Sequence, residues 1–551
     1  MNFLLAKNGE AKADILIPPG ADRVIRFAAK ELCSYLAQIS RGDFCIREAQ
    51  PGSIFPQKNI LCLVGAEEDV NVSLTPSFKH GANDAFVINA DATGVRIQGN
   101  NSRSILYGVY ELLEKLGCHF IEPGTEVVPT LPCLDIAAMN LESTAEFPLR
   151  NIFRIQILKS KTAAFQGLEP EHHLPQIDWM AKRKLNHYVF YVDYYRYDLW
   201  EKHKHHILDA LLDRGFDIEV THHSIYYFCP PDETYDFGDW GSATYRSEHP
   251  DWYEDDQLKI ELPDVQKLLE ERYMTFVRRN PELSIIGLWP TDGGMVGGSE
   301  AYLKLWNKIA RTLSREFPEK KLSILAYREI LDPPKGIKPE PNLFCWYCPI
   351  ESNYMYPMSE AGNDKYLEYM KGWIDLMSPG HVIAFEYYGW QSELTPFTEK
   401  MKADLEIYHE LGLAGVYGWA GFTFNIMGTN FRWSRDLYAF SHFLWNPNQD
   451  LAPLEAEWAK GVFAAAAPQV QKFYQVLKQT HDREKQLGLL SQKPWISMEL
   501  LHELQKILAE ARSKAETPEV KYRVDLLEQL VGRACAATIW REQPSGIYSC
   551  F

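Results

Sequence analysis

The sequence predicts an α/β protein: a (β/α)8 TIM barrel between a small N-terminal α/β domain and a helical C-terminal domain. Three observations predict it. Eight apolar, strand-like segments alternate with helical stretches between about 150 and 445. The first 140 residues carry strand signals and two amphipathic helices. After Leu451 the strand signals stop and only helical periodicity continues. The boundaries read from these shifts are 1–140, 141–448 and 449–551.

In the N-terminal part, strands are expected at Asp14–Ile17, Ile60–Gly65, Ala85–Ile88 and Val95–Gln98. Ile25, Ala29, Leu32, Leu36 and Ile39 form one helical stripe. Ile105, Val109, Leu112, Leu113 and Leu116 form a second, ended by Gly117. Two such helices suggest a sheet covered on one face.

The eight barrel strands are expected at Leu149–Ile155, His187–Tyr194, Asp217–Tyr227, Ser284–Pro290, Leu322–Arg328, Leu343–Tyr347, His381–Tyr388 and Val416–Phe422. Helices are expected at His206–Arg214, Val265–Arg279, Glu300–Phe317, Lys365–Met377 and Glu399–Leu411. The weakest repeat is the short link holding Pro333, Pro334, Pro339 and Pro341. A doubly wound open sheet is the competing architecture. The C-terminal helices are expected at Leu454–Phe463, Val470–Arg483, Ile496–Ser513 and Val520–Trp540.

Composition narrows the function. A formal charge of −17 repels phosphate backbones, so nucleic acid is not an expected partner. No apolar run approaches about 18 residues, so no membrane span is expected. The chain starts without the layout of a secretion signal, and its 10 cysteines are scattered. The expectation is a reduced, cytoplasmic protein. Cys345 and Cys348 form one CxxC without a second pair, so neither a metal nor a cofactor is expected. Gly293, Gly294, Gly297 and Gly298 lack the Lys-Ser/Thr of a phosphate loop.

In a barrel the reacting groups lie at the C-terminal strand ends. Those ends supply carboxylates and many aromatics, a pattern suited to sugar rings and glycosidic bonds. Asp292, in Trp-Pro-Thr-Asp-Gly-Gly, and Glu386, in Phe-Glu-Tyr-Tyr, are the expected catalytic pair. Asp-Gly is also a common turn, and a strand carboxylate also fits a salt bridge. Expected substrate-binding residues are His222, His223, Tyr194, Tyr227, Trp289, Arg328, Glu329, Trp346, Tyr388, Trp390 and Trp419. The expected partner is an oligosaccharide substrate, with a homodimer open.

Tyr107-Gly-Val-Tyr-Glu-Leu-Leu-Glu-Lys-Leu-Gly-Cys-His-Phe, continuing to Pro123-Gly, resembles the N-terminal domain that precedes the barrel in α-glucuronidases and related hexosaminidases. Thr221-His-His-Ser, His249-Pro-Asp-Trp-Tyr, Leu262-Pro-Asp-Val and Trp289-Pro-Thr-Asp-Gly-Gly resemble the DUF4838 barrel domain. Leu444-Trp-Asn-Pro, running to Pro468, resembles its end. Part of that family is glycoside hydrolase family 163, endo-β-N-acetylglucosaminidases acting on N-glycans. The resemblance implies a glycosidase with Asp292 and His222 or His223 lining its site. Here Thr291 stands where the family has Asn, and the cysteines that often follow the Asp-Gly are absent. By analogy with substrate-assisted hexosaminidases, Asp292 would orient the sugar's acetamide and Glu386 would be the acid, or the reverse. Two alternatives are an α-glucuronidase-like inverting hydrolase, with Arg328 or Arg154 clamping the uronate, and a non-catalytic carbohydrate-binding barrel.

Overall fold

The computed structural model describes residues 2–49, 59–62, 83–151, 170–191, 196–235, 240, 244–255, 257–292, 295–360, 362–388, 394–418, 434–487 and 495–542. Its N-terminal part holds a six-stranded sheet in the order Met139–Thr144, Ala85–Asp91, Gly94–Gly99, Asn59–Cys62, Asp14–Ile17, Ile46–Glu48. The first two pairings are antiparallel and the rest parallel. Helices Arg23–Ser40 and Ser102–Lys115 pack on it and on each other, so they share one face. Each is started by a side-chain cap: Asp22 accepts from the Ile25 amide, and Asn101 from the Ser104 amide. The expected apolar stripes are the buried ones. The strand Met139–Thr144 was not expected, because its apolar alternation is confined to Met139 and Leu141 on an otherwise polar edge strand.

Among the described residues the central sheet has seven parallel strands in chain order. They are β1 (His187–Tyr191), β2 (Asp217–Thr221), β3 (Ile285–Gly287), β4 (Lys321–Tyr327), β5 (Leu343–Cys348), β6 (Val382–Glu386) and β7 (Gly415–Gly418). Each falls on an expected segment. β2 stops earlier than expected, because Ile225–Phe228 turns into a short buried helix. Between β4 and β5 the chain forms only the single turn Arg328–Ile330, as its prolines dictate. The short helices Asp198–His203 and Leu208–Asp213 lie between β1 and β2, and helices Pro263–Arg279, Gly298–Glu316, Asp364–Leu376 and Thr398–Glu410 lie in the other connections. This is a TIM-like α/β fold.

The remaining expected strand, Leu149–Ile155, lies mostly outside the described residues. Its first residues touch both edges of the sheet. The Leu149 amide donates to Ala414 O at 2.8 Å, just before β7. The amides of Asn186 and His187, at the start of β1, both donate to Arg150 O at 3.1 Å. The approach at β7 leaves no room for a side chain. A Cβ on Gly415 would sit 2.2 Å from Leu149 O. Gly415→Ala is therefore expected to destabilise the protein by about 1–3 kcal/mol, read as a lowered denaturation midpoint. An unchanged midpoint would show that the two segments are not held together.

Among the described residues five α-helices follow: Ser434–Trp445, Leu451–Phe463, Ala467–Gln486, Met498–Lys514 and Pro518–Glu542. They pack consecutively and also reach the N-terminal part. His119 Nδ1 lies 2.5 Å from Glu457 Oε1, and Arg523 NH2 lies 3.0 Å from Glu122 Oε1. Among the described residues no helix is long and apolar enough to cross a membrane.

Candidate functional site

Side chains alternate between the two faces of a strand, so the ladder registers sort them. Trp346 pairs with Ile383, and Phe385 pairs with Tyr417. Trp346, Phe385 and Tyr417 pack together, with centroids 5.0–5.9 Å apart, on the inner face. Trp346 Nε1 crosses to donate to Glu219 Oε1 on β2 at 3.1 Å, and His187 Nε2 on β1 lies 3.0 Å from Glu219 Oε2. These residues fill the interior below the C-terminal mouth.

At the mouth, His223 and Trp289 form a bridge between the chains leaving β2 and β3. His223 Nδ1 is 2.6 Å from the Pro290 carbonyl. A carbonyl only accepts, so Nδ1 carries the proton. Nε2 then faces Asp292 Oδ1 at 3.8 Å. Burial lowers the His223 pKa, against the opposing pull of the Asp292 carboxylate. Tyr327, the last residue of β4, donates its hydroxyl to Asp292 Oδ1 at 3.2 Å. Arg328 Nε donates to the same phenol oxygen at 2.9 Å. The phenol oxygen accepts from Arg328, so its own proton is free to point at Asp292. Asp292 itself is exposed, as are Arg328 and Glu329. Arg328 holds φ +45°, a region that residues with a Cβ rarely adopt and that clusters at functional sites.

Not every expected residue lies here. Glu386 is a correction. It is the residue after Phe385, so it leaves the outer face of β6 toward helix Thr398–Glu410. There it is wholly buried, accepts from the Tyr408 hydroxyl, and lies 3.9 Å from Lys400 Nζ. Tyr388 is a second correction. It is 1% exposed and donates to Asp404 Oδ2 at 3.1 Å, within the same outward cluster. Trp346 is a third, being core rather than sugar platform. Tyr227 is a fourth, enclosed by Tyr197, Phe228, Trp240 and Phe276. Trp289 is 1% exposed and stacks edge-on with Trp346, so it underlies the mouth rather than lining it. His222 is buried beside His223. Tyr194, Trp390 and Trp419 lie outside the described residues.

Tyr327 is the residue the expected set lacked, although it stands next to Arg328 at the end of the expected strand Leu322–Arg328. Tyr354 is another. It is half-buried on the loop after β5 and lies 5.8 Å, ring to ring, from Tyr387. The Tyr-Met-Tyr after β5 was the available signal. Among the described residues no group of three His, Cys, Asp or Glu could hold a metal ion. Cys345 and Cys348 are three apart on β5, so they face opposite sides of it.

Burial pushes the Glu386 carboxyl up to about 7, against the nearby Lys400 ammonium. The folded state therefore binds a proton that the unfolded state releases near pH 4.5. Stability contributed by this group falls as pH rises from there to about 7. Glu386→Gln is expected to flatten that part of the stability profile and to retain most turnover. Loss of turnover with an unaltered pH–stability curve would restore Glu386 to the chemistry.

Comparison with known proteins fits this geometry. Residues 290–475 match the family described as domain of unknown function DUF4838. The expected DUF4838 resemblance is thus borne out over the segment that begins at the Asp292 turn. A search of curated proteins returns no match. Among solved structures, the chain is similar to BtGH115A, a family GH115 4-O-methyl-α-glucuronidase with specificity for decorated arabinogalactans. The TM-score is 0.63 at 12% identity, covering 98% of this chain and 74% of that one. It is also similar to a GH138 enzyme targeting pectin rhamnogalacturonan II, with TM-score 0.59, 11% identity, and coverage of 94% and 85%. CpGH84D follows with TM-score 0.56, 12% identity, and coverage of 96% and 87%. The chain carries a DUF4838 domain on a fold shared with glycoside hydrolases.

Proposed function

We propose that this protein is a glycoside hydrolase whose reacting carboxylate is Asp292. One observation carries the reading. Asp292 is an exposed acid at the C-terminal end of β3, held by the Tyr327 hydroxyl and faced by His223 Nε2. A carboxylate so placed can protonate a leaving oxygen, or stabilise charge beside the anomeric carbon. The fold shared with glycoside hydrolases supports the same class.

The sugar at the scissile bond is proposed to be an N-acetylhexosamine. In a substrate-assisted route its acetamide oxygen attacks the anomeric carbon, so the protein need not supply a carboxylate nucleophile. That suits a mouth in which Glu386 has turned away and Asp292 works beside a histidine and a phenol. We further read the parallel sheet as part of a closed (β/α)8 barrel within 141–448. The bonds from Leu149 and Arg150 to its two edges support this.

The test is a hydrolysis screen on chromogenic glycosides and oligosaccharides, with products identified by mass spectrometry. Release of an N-acetylhexosamine, or of a glycan ending in one, is expected. Release of a uronic acid alone would point to the glucuronidase-like alternative. Saturable binding without turnover would favour a non-catalytic barrel.

A further inference from the structure

We propose that the mouth takes a sugar carrying a fork-matching anion, a carboxylate or a sulfate ester, and that Arg328 selects it. The inference rests on the glycan reading above and adds the substrate's charge to it.

Arg328 is positioned from both sides. Ahead of it, Tyr327 is 5% exposed, and the Arg328 guanidinium carbon lies 5.2 Å from the centroid of its ring. Behind it, the turn Arg328–Ile330 is pinned by Ile330, which is wholly buried. Between these anchors the backbone accepts φ +45°, a conformation that a residue with a Cβ rarely adopts.

The guanidinium is half used. Its Nε donates to the Tyr327 phenol oxygen. Among the described residues NH1 and NH2 have no hydrogen-bond partner, and the residue is exposed. What remains open is the edge with two parallel N–H donors, the geometry that binds carboxylate or sulfate oxygens bidentately. The carboxylates of Asp292 and Glu329 both act on Arg328 electrostatically, and neither hydrogen-bonds its guanidinium among the described residues. Tyr327 stands between Arg328 and Asp292, bonded to both. An anion held by Arg328 would therefore sit one phenol group away from the reacting carboxylate: a sulfate ester on the reacting sugar or its neighbour, or a carboxylate on the neighbouring sugar. The whole chain carries −17, so an acidic glycan needs such a local cation to approach.

The experiment measures binding to the full-length protein by calorimetry. The probes are D-glucuronate and N-acetylglucosamine 6-sulfate, each against its neutral counterpart, D-glucose and N-acetylglucosamine. At least about tenfold tighter binding of one anionic probe is expected, the scale of a charge-assisted pair. The carboxylate and sulfate arms tell the two sources apart. Arg328→Gln should bring the anionic-to-neutral ratio to about one, and Arg328→Lys should keep part of it, having the charge without the fork. Thermal melting checks that the variants fold, and the lysine variant carries the test if the glutamine variant does not. A ratio near one in the unaltered protein, or a ratio unchanged by Arg328→Gln, overturns the proposal. The hydrolysis screen separates the two claims. Turnover without anionic preference sinks this inference alone. Anionic preference without any turnover supports it and sinks the hydrolase.

Discussion

Asp292→Asn is expected to lower kcat on the true substrate by about a thousandfold, within the range that a positioned acid or base supplies. The substitution is nearly isosteric. Its amide oxygen can still accept from the Tyr327 hydroxyl, which now donates to Asp292 Oδ1 at 3.2 Å. The side chain is exposed, so little packing is lost and the melting temperature should barely move. What disappears is a group that can hold or release a proton, or carry full negative charge, beside His223. Substrate binding should survive, because Arg328 and the surrounding aromatics are untouched. The expected signature is thus a collapse in kcat with KM and stability near normal. A variant retaining a tenth or more of normal turnover would remove Asp292 from the chemistry and the proposed function with it.

The sequence made Asp292 legible because a strand-end acid in a Gly-rich turn is a local feature. Glu386 was misread for an equally physical reason. Strands of a parallel sheet are buried on both faces and carry apolar residues on both. Phe-Glu-Tyr-Tyr therefore contains no clue to which residues face inward. The parity appears only when Phe385 is seen against Trp346 and Tyr417, which leaves Glu386 to the helix layer. Trp346, Tyr227 and Tyr388 failed in the same way: each sits near a strand end, but each faces core or helix. The strands themselves were legible from their apolar runs and the helices between them. The overrun at β2 arose because Ile225, Tyr226, Tyr227 and Phe228 are as buried as the strand they follow. Long-range polar contacts were out of reach, since a lone Asp or Arg in sequence does not announce a partner 66 residues away.

That partner pair sets the largest expected effect on stability. Asp84, 2% exposed, just precedes the strand Ala85–Asp91. Its Oδ2 accepts from Arg150 and, at 3.0 Å, from Asn186 Nδ2. Its Oδ1 accepts from Asn101 Nδ2 at 2.8 Å, and Arg103 Nε lies 3.2 Å from Oδ2. Arg150 is wholly buried, and its remaining donors go to the carbonyls of Lys184 and Phe147. Arg103 continues to Asp217 Oδ2, 2.9 Å away, at the first residue of β2. One carboxylate thus fastens the N-terminal sheet to the segment that reaches both edges of the central one. Asp84→Ala would strand the Arg150 charge in the interior, and the expected cost is about 3–5 kcal/mol. Asp84→Ala combined with Arg150→Met should lose less than Asp84→Ala alone, because no charge is then left unpaired. Burial alone would push the Asp84 carboxyl up. Arg103 and Arg150 overcome that and hold it well below the usual carboxylate range. A depressed carboxylate stabilises fully above its unfolded pKa of about 4 and loses that contribution as pH falls below it. Urea denaturation midpoints of the parent and Asp84→Ala should therefore differ by a constant margin from pH 7 to about pH 5, and that margin should narrow steadily as pH falls below about 4. A margin that stays open in acid would mean that packing around Asp84, rather than its charge, joins the two sheets.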